Sequence, residues 1–197
     1  MARPYLIVLA GPNGSGKTTY ARTNLQSFIE TGIFLNADDI AREGSPSDVQ
    51  AAAIEAGRIA IQRRSDLLRQ GKSLCVETTL AGNSIIRFMR EAKDIGYVVR
   101  LIFLFTASPE LNEARVMQRV MEGGHNIPVD VIRRRHRRGL ERLADCWAIC
   151  DEGLIVDART RRPSPMLTKE DGKTKADDGT AADLFAALTA GGHKAPT

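Results

Sequence analysis

The stretch that decides the fold of this chain is Gly11-Pro12-Asn13-Gly14-Ser15-Gly16-Lys17-Thr18. It matches the pattern G-x4-G-K-[ST] in full, and it lies between an apolar run at residues 5–10 and a helical pattern that begins at Lys17. Glycines let the backbone of such a loop wrap around a phosphate, because the N–H groups at the helix N-terminus point towards the anion. The sequence therefore predicts that Gly11 to Thr19 bind the phosphates of ATP or GTP.

Two residues of this loop have separate predicted roles. Lys17 reaches the β- and γ-phosphates, and the hydroxyl of Thr18 is a ligand for Mg²⁺. The loop does not specify the reaction, but the Asn-Lys-x-Asp motif that a GTPase needs is absent from the sequence. A small kinase needs only a carboxylate that accepts a hydroxyl proton and arginines that neutralise the moving phosphoryl group.

Apolar, β-prone runs alternate with helical patterns through residues 1–157, which we interpret as one domain. This alternation predicts βαβ units, and hence an α/β fold with a mainly parallel sheet. A helix is predicted at residues 129–143. Five strands are predicted, at residues 5–10, 33–36, 73–79, 97–105 and 147–150, and residues 154–156 are left open as a last strand or a hairpin arm.

The composition changes after the domain. From about Arg159 apolar residues become sparse, and Lys, Asp, Gly and Thr dominate as far as Thr180. Such a segment buries little apolar surface, so residues 158–197 are predicted to form a polar, flexible tail that contributes little to the core. Residues 182–188 are left open as one short helix.

Polar residues stand at the ends of two predicted strands. Asp38 and Asp39 follow the second strand, and Glu77 and Thr79 end the third. Ligands of open α/β sheets bind outside the carboxyl ends of the strands, which places these side chains near the phosphate loop. A helix N-cap is the alternative role for both aspartates, and it is the favoured one for Asp39. For Thr79 capping is an equal alternative.

Arginines predict a lid at residues 115–142. Arg115 and Arg119 share one face of a predicted helix, Arg134 and Arg138 share one face of the next, and two adjacent glycines lie between the helices. Two arginine-bearing helices joined by a glycine hinge are typical of a lid that closes on a triphosphate.

The second of these helices is strongly basic. Residues 129–142 contain six arginines and two acidic residues, so their local charge of +4 equals the net charge of the whole chain. A solvated basic face is the alternative for several of these arginines. His125, in the connecting loop, is expected to be a structural or solvated histidine.

Several classes of protein are excluded by composition. The chain of 197 residues is 43% hydrophobic, which is enough for a core, yet its apolar runs fall far short of the ~20 residues of a membrane span. No signal peptide is visible, and three cysteines (Cys75, Cys146, Cys150) do not make a disulfide framework, so we expect a cytoplasmic protein. Aromatic residues do not interleave the basic helix, which makes a nucleic acid partner unexpected.

A set of motifs in this order resembles the zeta toxin family, and more narrowly the short stand-alone bacterial zeta-toxin-like P-loop proteins. The resemblance extends over residues 5–151. Its motifs are Gly11 to Thr19, Asn36-Ala-Asp-Asp-Ile-Ala41, Glu77-Thr-Thr-Leu-Ala-Gly82, Arg115-Val-x2-Arg-Val, Gly123-Gly-His-Asn-Ile-Pro128 and Ile132-Arg-Arg-Arg.

The resemblance implies a three-layer α/β/α P-loop kinase with strand order 2-3-1-4-5. Characterised members use ATP and Mg²⁺ to phosphorylate the 3′-hydroxyl of the amino sugar in UDP-N-acetylglucosamine, and a small antitoxin protein is an implied partner. By motif position, Asp38 is the base, and Glu77 and Thr79 face the substrate. The residues implied to hold the phosphates are Arg119 and one of Arg133, Arg134 and Arg135, of which we take Arg134 forward.

Two alternatives remain open at this point. The first is a kinase that acts on another hydroxyl, in a nucleoside, an antibiotic or a polynucleotide 5′-end. The second is a regulatory module that binds a nucleotide without transferring a phosphate. The chain is also short compared with larger toxins, so the sugar nucleotide follows less directly from the motifs than kinase activity does.

Overall fold

A computed structural model describes most of the chain, with residues 3–37, 39–40, 49–124, 126–160, 162–176 and positions 181, 182, 184, 186 and 188 defined. A seven-stranded sheet in the order β2-β3-β1-β4-β5-β6-β7 forms its centre. The strands are β1 (Tyr5–Ala10), β2 (Ile33–Leu35), β3 (Leu74–Thr78), β4 (Val98–Phe105), β5 (Glu152–Asp157), β6 (Ser164–Glu170) and β7 (Lys173–Ala176). The helices are α1 (Lys17–Asn24), α2 (Gln26–Thr31), α3 (Val49–Arg69), α4 (Ser84–Asp94), α5 (Pro109–Met121) and α6 (Val129–Ile149).

Helices cover both faces of the central strands, which makes the fold a three-layer α/β/α sandwich. Successive residues of β1 and β4 point to opposite faces, and both faces of these strands are apolar except at Arg100, as expected for parallel strands buried on both sides. One face packs against α3, α4 and α6 through residues such as Leu68, Phe88 and Trp147. The other face packs against Ala21 of α1 and against Leu25, which directly follows that helix.

The parallel part of the sheet confirms the predicted order 2-3-1-4-5. β1 pairs in parallel with β3 and β4, β2 pairs with β3, and β5 pairs with β4. The carboxyl ends of β1, β2 and β3 therefore meet at one edge of the sheet. The phosphate loop begins at this edge, since Gly11 directly follows β1.

The prediction of a strand at residues 147–150 is wrong. Trp147 lies in the last turn of α6, and the fifth strand is β5, which begins at Glu152. The apolar residues here continue the buried stripe of the helix, because Leu143, Cys146 and Trp147 recur at helical spacing and all are buried. The helical spacing of the apolar residues, rather than their β propensity, therefore determines the secondary structure of this segment.

The helix also ends on a specific cap. Lys169, from β6, is buried, and its Nζ donates to the carbonyl oxygens of Trp147 (2.6 Å) and Cys150 (2.7 Å). The last carbonyls of a helix lack partners within the helix, and a cation there also compensates the helix dipole. Lys169 of β6 therefore caps the C-terminus of α6.

The expected flexible tail differs most from the structure. Residues 164–176 form β6 and β7, which extend the sheet in antiparallel fashion beyond β5. Met166 and Leu167 are buried, and so are Ala181 and Leu188 further along. The composition of the segment is polar on average despite these apolar residues, and for this reason it predicted a flexible tail.

We expect Leu167→Ala to lower the free energy of unfolding by about 2–5 kcal/mol, because a fully buried leucine leaves a cavity when it is truncated. Removal of all residues after Ala158 should therefore prevent stable folding. Chemical denaturation measures the first effect, with the exposed Lys173→Ala on β7 as the matched control. Equal stability of the two variants would show that β6 is not part of the core.

All three cysteines are buried free thiols. Burial raises the pKa of the Cys75 and Cys146 thiols to about 12 and that of Cys150 to about 11, which makes them poor nucleophiles at neutral pH. Among the helices in the described part of the chain, none combines the length and apolar character that crossing a membrane requires.

Candidate active site

The phosphate loop packs tightly against α5. Gly14 has φ +75°, and a Cβ added there would lie 2.7 Å from the carbonyl oxygen of Asn112. A side chain at this position would therefore be strained and would also clash with the backbone of α5. The loop is tied to the sheet as well, because the N–H of Gly11 donates to the carbonyl oxygen of Thr78 at 3.2 Å.

Lys17 is held inside the loop. Its side chain is only 7% exposed, and its Nζ donates to the carbonyl oxygens of Gly11 and Pro12, each at 2.9 Å. The same Nζ lies 4.0 Å from Oε1 of Glu77. The ammonium group thus lies between two backbone carbonyls of the loop and the carboxylate of Glu77, near the end of β3.

Glu77 is a nearly buried carboxylate with several polar neighbours. It accepts hydrogen bonds from Thr18 Oγ1 at 3.1 Å and from Asn36 Nδ2 at 3.2 Å, and Lys17 lies nearby. These contacts offset the cost of burying the charge. The sequence predicted that Glu77 faces the substrate, and the structure adds a direct contact with the hydroxyl of the loop.

Thr18 and Glu77 together fit a magnesium ion. Mg²⁺ binds oxygen ligands, and in phosphate-transfer sites it takes one or two carboxylates with substrate phosphates and water completing its shell. The Thr18 hydroxyl and the Glu77 carboxylate are oxygen donors in contact, beside the loop that is predicted to bind phosphate. Within the described residues, no group of three or more acidic, histidine or cysteine side chains is arranged to hold a metal ion.

A cleft of about 190 Å³ opens beside Lys17 at this edge of the sheet. It brings together Lys17, Glu77 and Thr79, three residues that the sequence placed at the site. Helix α6 forms the far wall and approaches closely, since a Cβ at Gly139 would lie 2.7 Å from the carbonyl oxygen of Thr79. The cleft is lined by Asn13, Lys17, Asn36, Ala37, Glu77, Thr78, Thr79 and Arg135.

The three consecutive arginines of α6 point in different directions. Arg133 pairs with Glu113, its Nε lying 2.6 Å from the carboxylate, and Arg134 lies 3.6 Å from Asp130 on its own helix. Arg135 instead lines the cleft. Each step along a helix turns the side chain by about 100°, so Arg135 lines the cleft and its two neighbours do not. Phosphate binding by Arg134 stays a prediction.

The arginines of α5 have different surroundings. Arg115 donates to the carbonyl oxygens of Ala158 (2.8 Å) and Arg159 (3.1 Å), so it joins α5 to the segment that follows β5. Arg119 lies one turn further along, where the backbone of Gly124 folds against its side chain. Phosphate binding by Arg119 stays a prediction.

The predicted lid has its own small core. Val116 of α5, Ile127 of the connection and Ile132 of α6 are buried against one another, and α6 continues into the main core at Leu143. The two arginine-bearing helices are therefore packed together on the sheet. Closure of this region on a triphosphate stays a prediction.

A second, larger cavity of about 530 Å³ lies on the other side of the phosphate loop. This volume is within the range of small-molecule sites, and the loop separates it from the smaller cleft. Its walls come from the loop, from α1, from the end of β4 and from the segment after β5. It is lined by Gly14, Ser15, Gly16, Thr19, Tyr20, Thr23, Asn24, Leu104, Arg115, Ala158, Thr160 and Pro163.

Two predicted residues, Asp38 and His125, lie outside the described residues. Asp39 is described, and it stands in a helical turn in which the N–H of Ile40 donates to the carbonyl oxygen of Asn36 at 3.2 Å. Sequence reasoning gave no role to Asn36, whose amide contacts Glu77. A polar residue directly after the apolar β2 was the available signal.

The chain is similar to several known proteins in sequence and in fold. A protein of Haemophilus influenzae is 38% identical over 130 residues, which is 66% of this chain and 91% of that protein. A structure of the PezAT toxin–antitoxin system of Streptococcus pneumoniae is similar at a TM-score of 0.64 with 21% identity, over 95% of this chain and 78% of that one. A structure of AvrRxo1-ORF1:-ORF2 with ATP is similar at a TM-score of 0.66 with 17% identity, over 100% of this chain and 66% of that one.

The two structures, at this level of identity, show a shared fold. The family comparison is more specific, because residues 1–157 match the family described as zeta toxin. That match includes the phosphate loop, β3 with Glu77 and the arginines of α5 and α6. This chain therefore belongs to the zeta toxin family.

Proposed function

We propose that the protein is an ATP-dependent phosphotransferase that moves the γ-phosphate to a hydroxyl group of a small molecule. The observation that carries this proposal is the cleft at the carboxyl edge of the sheet. There Lys17 of the phosphate loop, Glu77 and Arg135 line one space, and the Thr18 hydroxyl donates to Glu77. Phosphoryl transfer depends mainly on positioning and on stabilising charge, and these groups supply both.

In the proposed complex, one nucleotide extends along the loop from the larger cavity to the smaller cleft. Its phosphates lie along the backbone N–H groups from Gly14 to Thr18, at the N-terminus of α1. Its base and ribose fit the cavity of about 530 Å³, which borders the same loop. The terminal phosphate then faces the smaller cleft, where the acceptor binds.

In this proposal, Thr18 and Glu77 are the residues that would hold the magnesium ion. The ion, when bound, supplies positive charge to the phosphate oxygens. Asn36 holds the Glu77 carboxylate in place by its amide, and Lys17 approaches the same carboxylate from the loop. The chain's own residues therefore orient the carboxylate before a metal binds.

The remaining roles fall to Asp38 and Arg135. Asp38 accepts the proton of the attacking hydroxyl, as the family resemblance implies, and Arg135 stabilises the charge of the transferred group. Asn36, two positions before Asp38, directly follows β2 and lines the cleft, which supports an acceptor site at this point of the chain.

The acceptor that family membership supports best is UDP-N-acetylglucosamine. A nucleoside, an antibiotic or a polynucleotide 5′-end is the alternative acceptor, and a nucleotide-binding module without transfer is the alternative function. A small antitoxin partner is supported by the PezAT structure, which comes from a toxin–antitoxin system. The buried free thiols support a cytoplasmic location.

We expect Arg135→Ala to lower the rate of phosphate transfer by about 10²-fold, because it removes a charge that faces the transferred group. Arg137→Ala is the matched control, since Arg137 lies two residues away, is 72% exposed and pairs with Glu141. Steady-state kinetics on both variants measures the effect. Equal loss in both variants would assign the arginines of α6 a general electrostatic role and remove Arg135 from the site.

The proposal is tested by following ADP formation with a panel of acceptors. Purified protein is incubated with ATP and Mg²⁺, alone and with UDP-N-acetylglucosamine, nucleosides or a 5′-hydroxyl oligonucleotide. We expect ADP to form in proportion to the sugar nucleotide. ADP formation with a different member of the panel would replace the acceptor and keep the reaction class.

A further inference from the structure

Arg115, near the middle of α5, contacts two other walls of the larger cavity. Its Nη1 donates to the carbonyl oxygen of Ala158 at 2.8 Å, and its Nη2 donates to that of Arg159 at 3.1 Å. On the side of the phosphate loop, Nη1 lies 3.5 Å from the carbonyl oxygen of Gly14, and a Cβ added at Gly14 would lie 3.4 Å from the Cβ of Arg115. One side chain therefore connects α5, the phosphate loop and the segment after β5.

The segment after β5 leaves the sheet at this point. The N–H of Ala158 still donates to the carbonyl oxygen of Phe105 at 2.9 Å, and Ala158 is buried. The next two residues, Arg159 and Thr160, are exposed. The two hydrogen bonds from Arg115 are made to the backbone where this change occurs, so they attach the start of the exposed segment to α5.

A guanidinium group is well suited to this attachment. It is planar and presents five N–H donors in a fixed fork, so two of its nitrogens reach two successive carbonyl oxygens at once. The ammonium group of a lysine is a point charge on a flexible stem, and it does not hold two acceptors in one geometry. An arginine at position 115 therefore fixes both the position and the orientation of the backbone that follows β5.

The wall that this backbone forms has the chemistry of a base site. Ala158 and Pro163 line the cavity on this side, and the fully buried Leu104 lies at the end of β4. Small-molecule sites are mostly apolar with a few polar groups that fix orientation. This side of the cavity therefore suits the flat face of a nucleotide base better than it suits a phosphate.

We propose that Arg115 is a positioning residue for the base and ribose of the bound nucleotide. Its hydrogen bonds to Ala158 and Arg159 hold the wall after β5 in place, and so keep the cavity of about 530 Å³ in the shape that receives the base. This inference rests on the proposed function, in which the base and ribose occupy that cavity. It differs from the role of a lid arginine, because the donors of Arg115 are directed at backbone carbonyls and not at a triphosphate.

A matched pair of ligands, ADP and pyrophosphate, tests the proposal by binding alone. Both carry a diphosphate and only ADP carries adenosine, so the ratio of their affinities with Mg²⁺ isolates the contribution of the base and ribose. We expect calorimetry to show that Arg115→Ala lowers the affinity for ADP by roughly tenfold, the order of one hydrogen bond to a charged group, and leaves that for pyrophosphate unchanged.

Arg90→Ala is the matched control, because it removes an exposed arginine from α4, which packs on the opposite face of the sheet. We expect both of its affinities to equal those of the wild type. Equal losses for the two ligands in Arg115→Ala would overturn the proposal, because they would place Arg115 on the phosphates. Wild-type affinity for ADP in that variant would overturn it as well.

Two further variants decide the question even where Arg115→Ala fails to fold. Arg115→Lys keeps the charge and loses the fork, so we expect weaker binding of ADP; wild-type affinity would show that charge alone is sufficient and would overturn the proposal. Asp157→Ala loosens the same segment from its other side, since Asp157 Oδ1 accepts a hydrogen bond from the N–H of Arg159 at 2.9 Å. We expect it to weaken the binding of ADP and not that of pyrophosphate.

Transfer kinetics give a second readout. Loss of binding that is equal in the ground state and the transition state raises the KM for ATP and leaves kcat nearly unchanged, whereas loss of a contact with the transferred phosphate lowers kcat. The outcomes also separate this inference from the proposed function. Selective loss of ADP affinity in a protein that transfers no phosphate would refute transfer and leave the role of Arg115 established, and transfer with equal effects on both ligands would refute that role alone.

Discussion

Lys17→Ala should reduce phosphate transfer by at least ~10²-fold while the protein stays folded. The lysine donates to two loop carbonyls and lies beside Glu77, so its charge is located where the terminal phosphates lie in the proposed complex. Its role is electrostatic, and removal of such a contact has this order of effect on the rate. Initial rates of ADP formation and a thermal melt measure the two parts of the prediction.

Arg22→Ala is the control for this variant, because Arg22 is an exposed cation in the last turn of the same helix, α1. We expect its rate to equal that of the wild type. A folded Lys17→Ala protein with near-normal turnover would refute the assignment of the loop as the phosphate site.

Asp38→Asn should lower transfer by ~10²-fold or more, the usual scale for loss of a general base. A base accepts its proton only as transfer proceeds, so ATP affinity should change little. Asparagine keeps the shape of aspartate and can still cap a helix, so this substitution separates catalysis from capping. Calorimetry with ATP, thermal melting and an assay of the phosphorylated acceptor measure the three quantities.

Asp39→Asn is the matched control for the base. Asp39 stands inside the helical turn after β2, and we expect its variant to be far milder than Asp38→Asn. Normal transfer by Asp38→Asn, or loss of transfer in Asp39→Asn alone, would show that the choice of base is wrong.

The central architecture was predictable because the phosphate-loop motif and the alternation of strands with helices determine it. A complete phosphate loop between a strand and a helix, followed by alternating strands and helices, leads to a parallel sheet whose carboxyl edge carries the site. Glu77 and Thr79 were predicted at that edge because they end a strand, and they lie there.

The secondary-structure predictions are wrong where contacts between distant parts of the chain determine the structure. Trp147 lies in a β-prone run, yet it packs as part of the buried stripe of α6, and Lys169 of a later strand caps that helix. Strands β6 and β7 were missed because only two residues of β6, Met166 and Leu167, carry its apolar contribution to the core. Composition averaged over a segment does not reveal such a pair.

The direction in which a side chain points is a further property that the sequence did not predict. Arg133, Arg134 and Arg135 are equivalent in sequence, and only the rotation of α6 on the sheet selects Arg135 for the cleft. That rotation depends on buried contacts such as those of Ile132 and His136. The hydrogen bond that Arg135 donates to Asn13 of the loop, at 3.2 Å, follows from the same packing, so the loop motif alone does not predict it.

The account is tested most directly by mass spectrometry of the acceptor after incubation of wild-type protein with ATP, Mg²⁺ and UDP-N-acetylglucosamine. We predict that the sugar nucleotide gains the mass of one phosphoryl group, in step with one ADP per molecule, and that Lys17→Ala yields neither product. Tight binding of ATP with no ADP and no phosphorylated product, for this acceptor and for every other member of the panel, would contradict the account and identify the protein as a nucleotide-binding module.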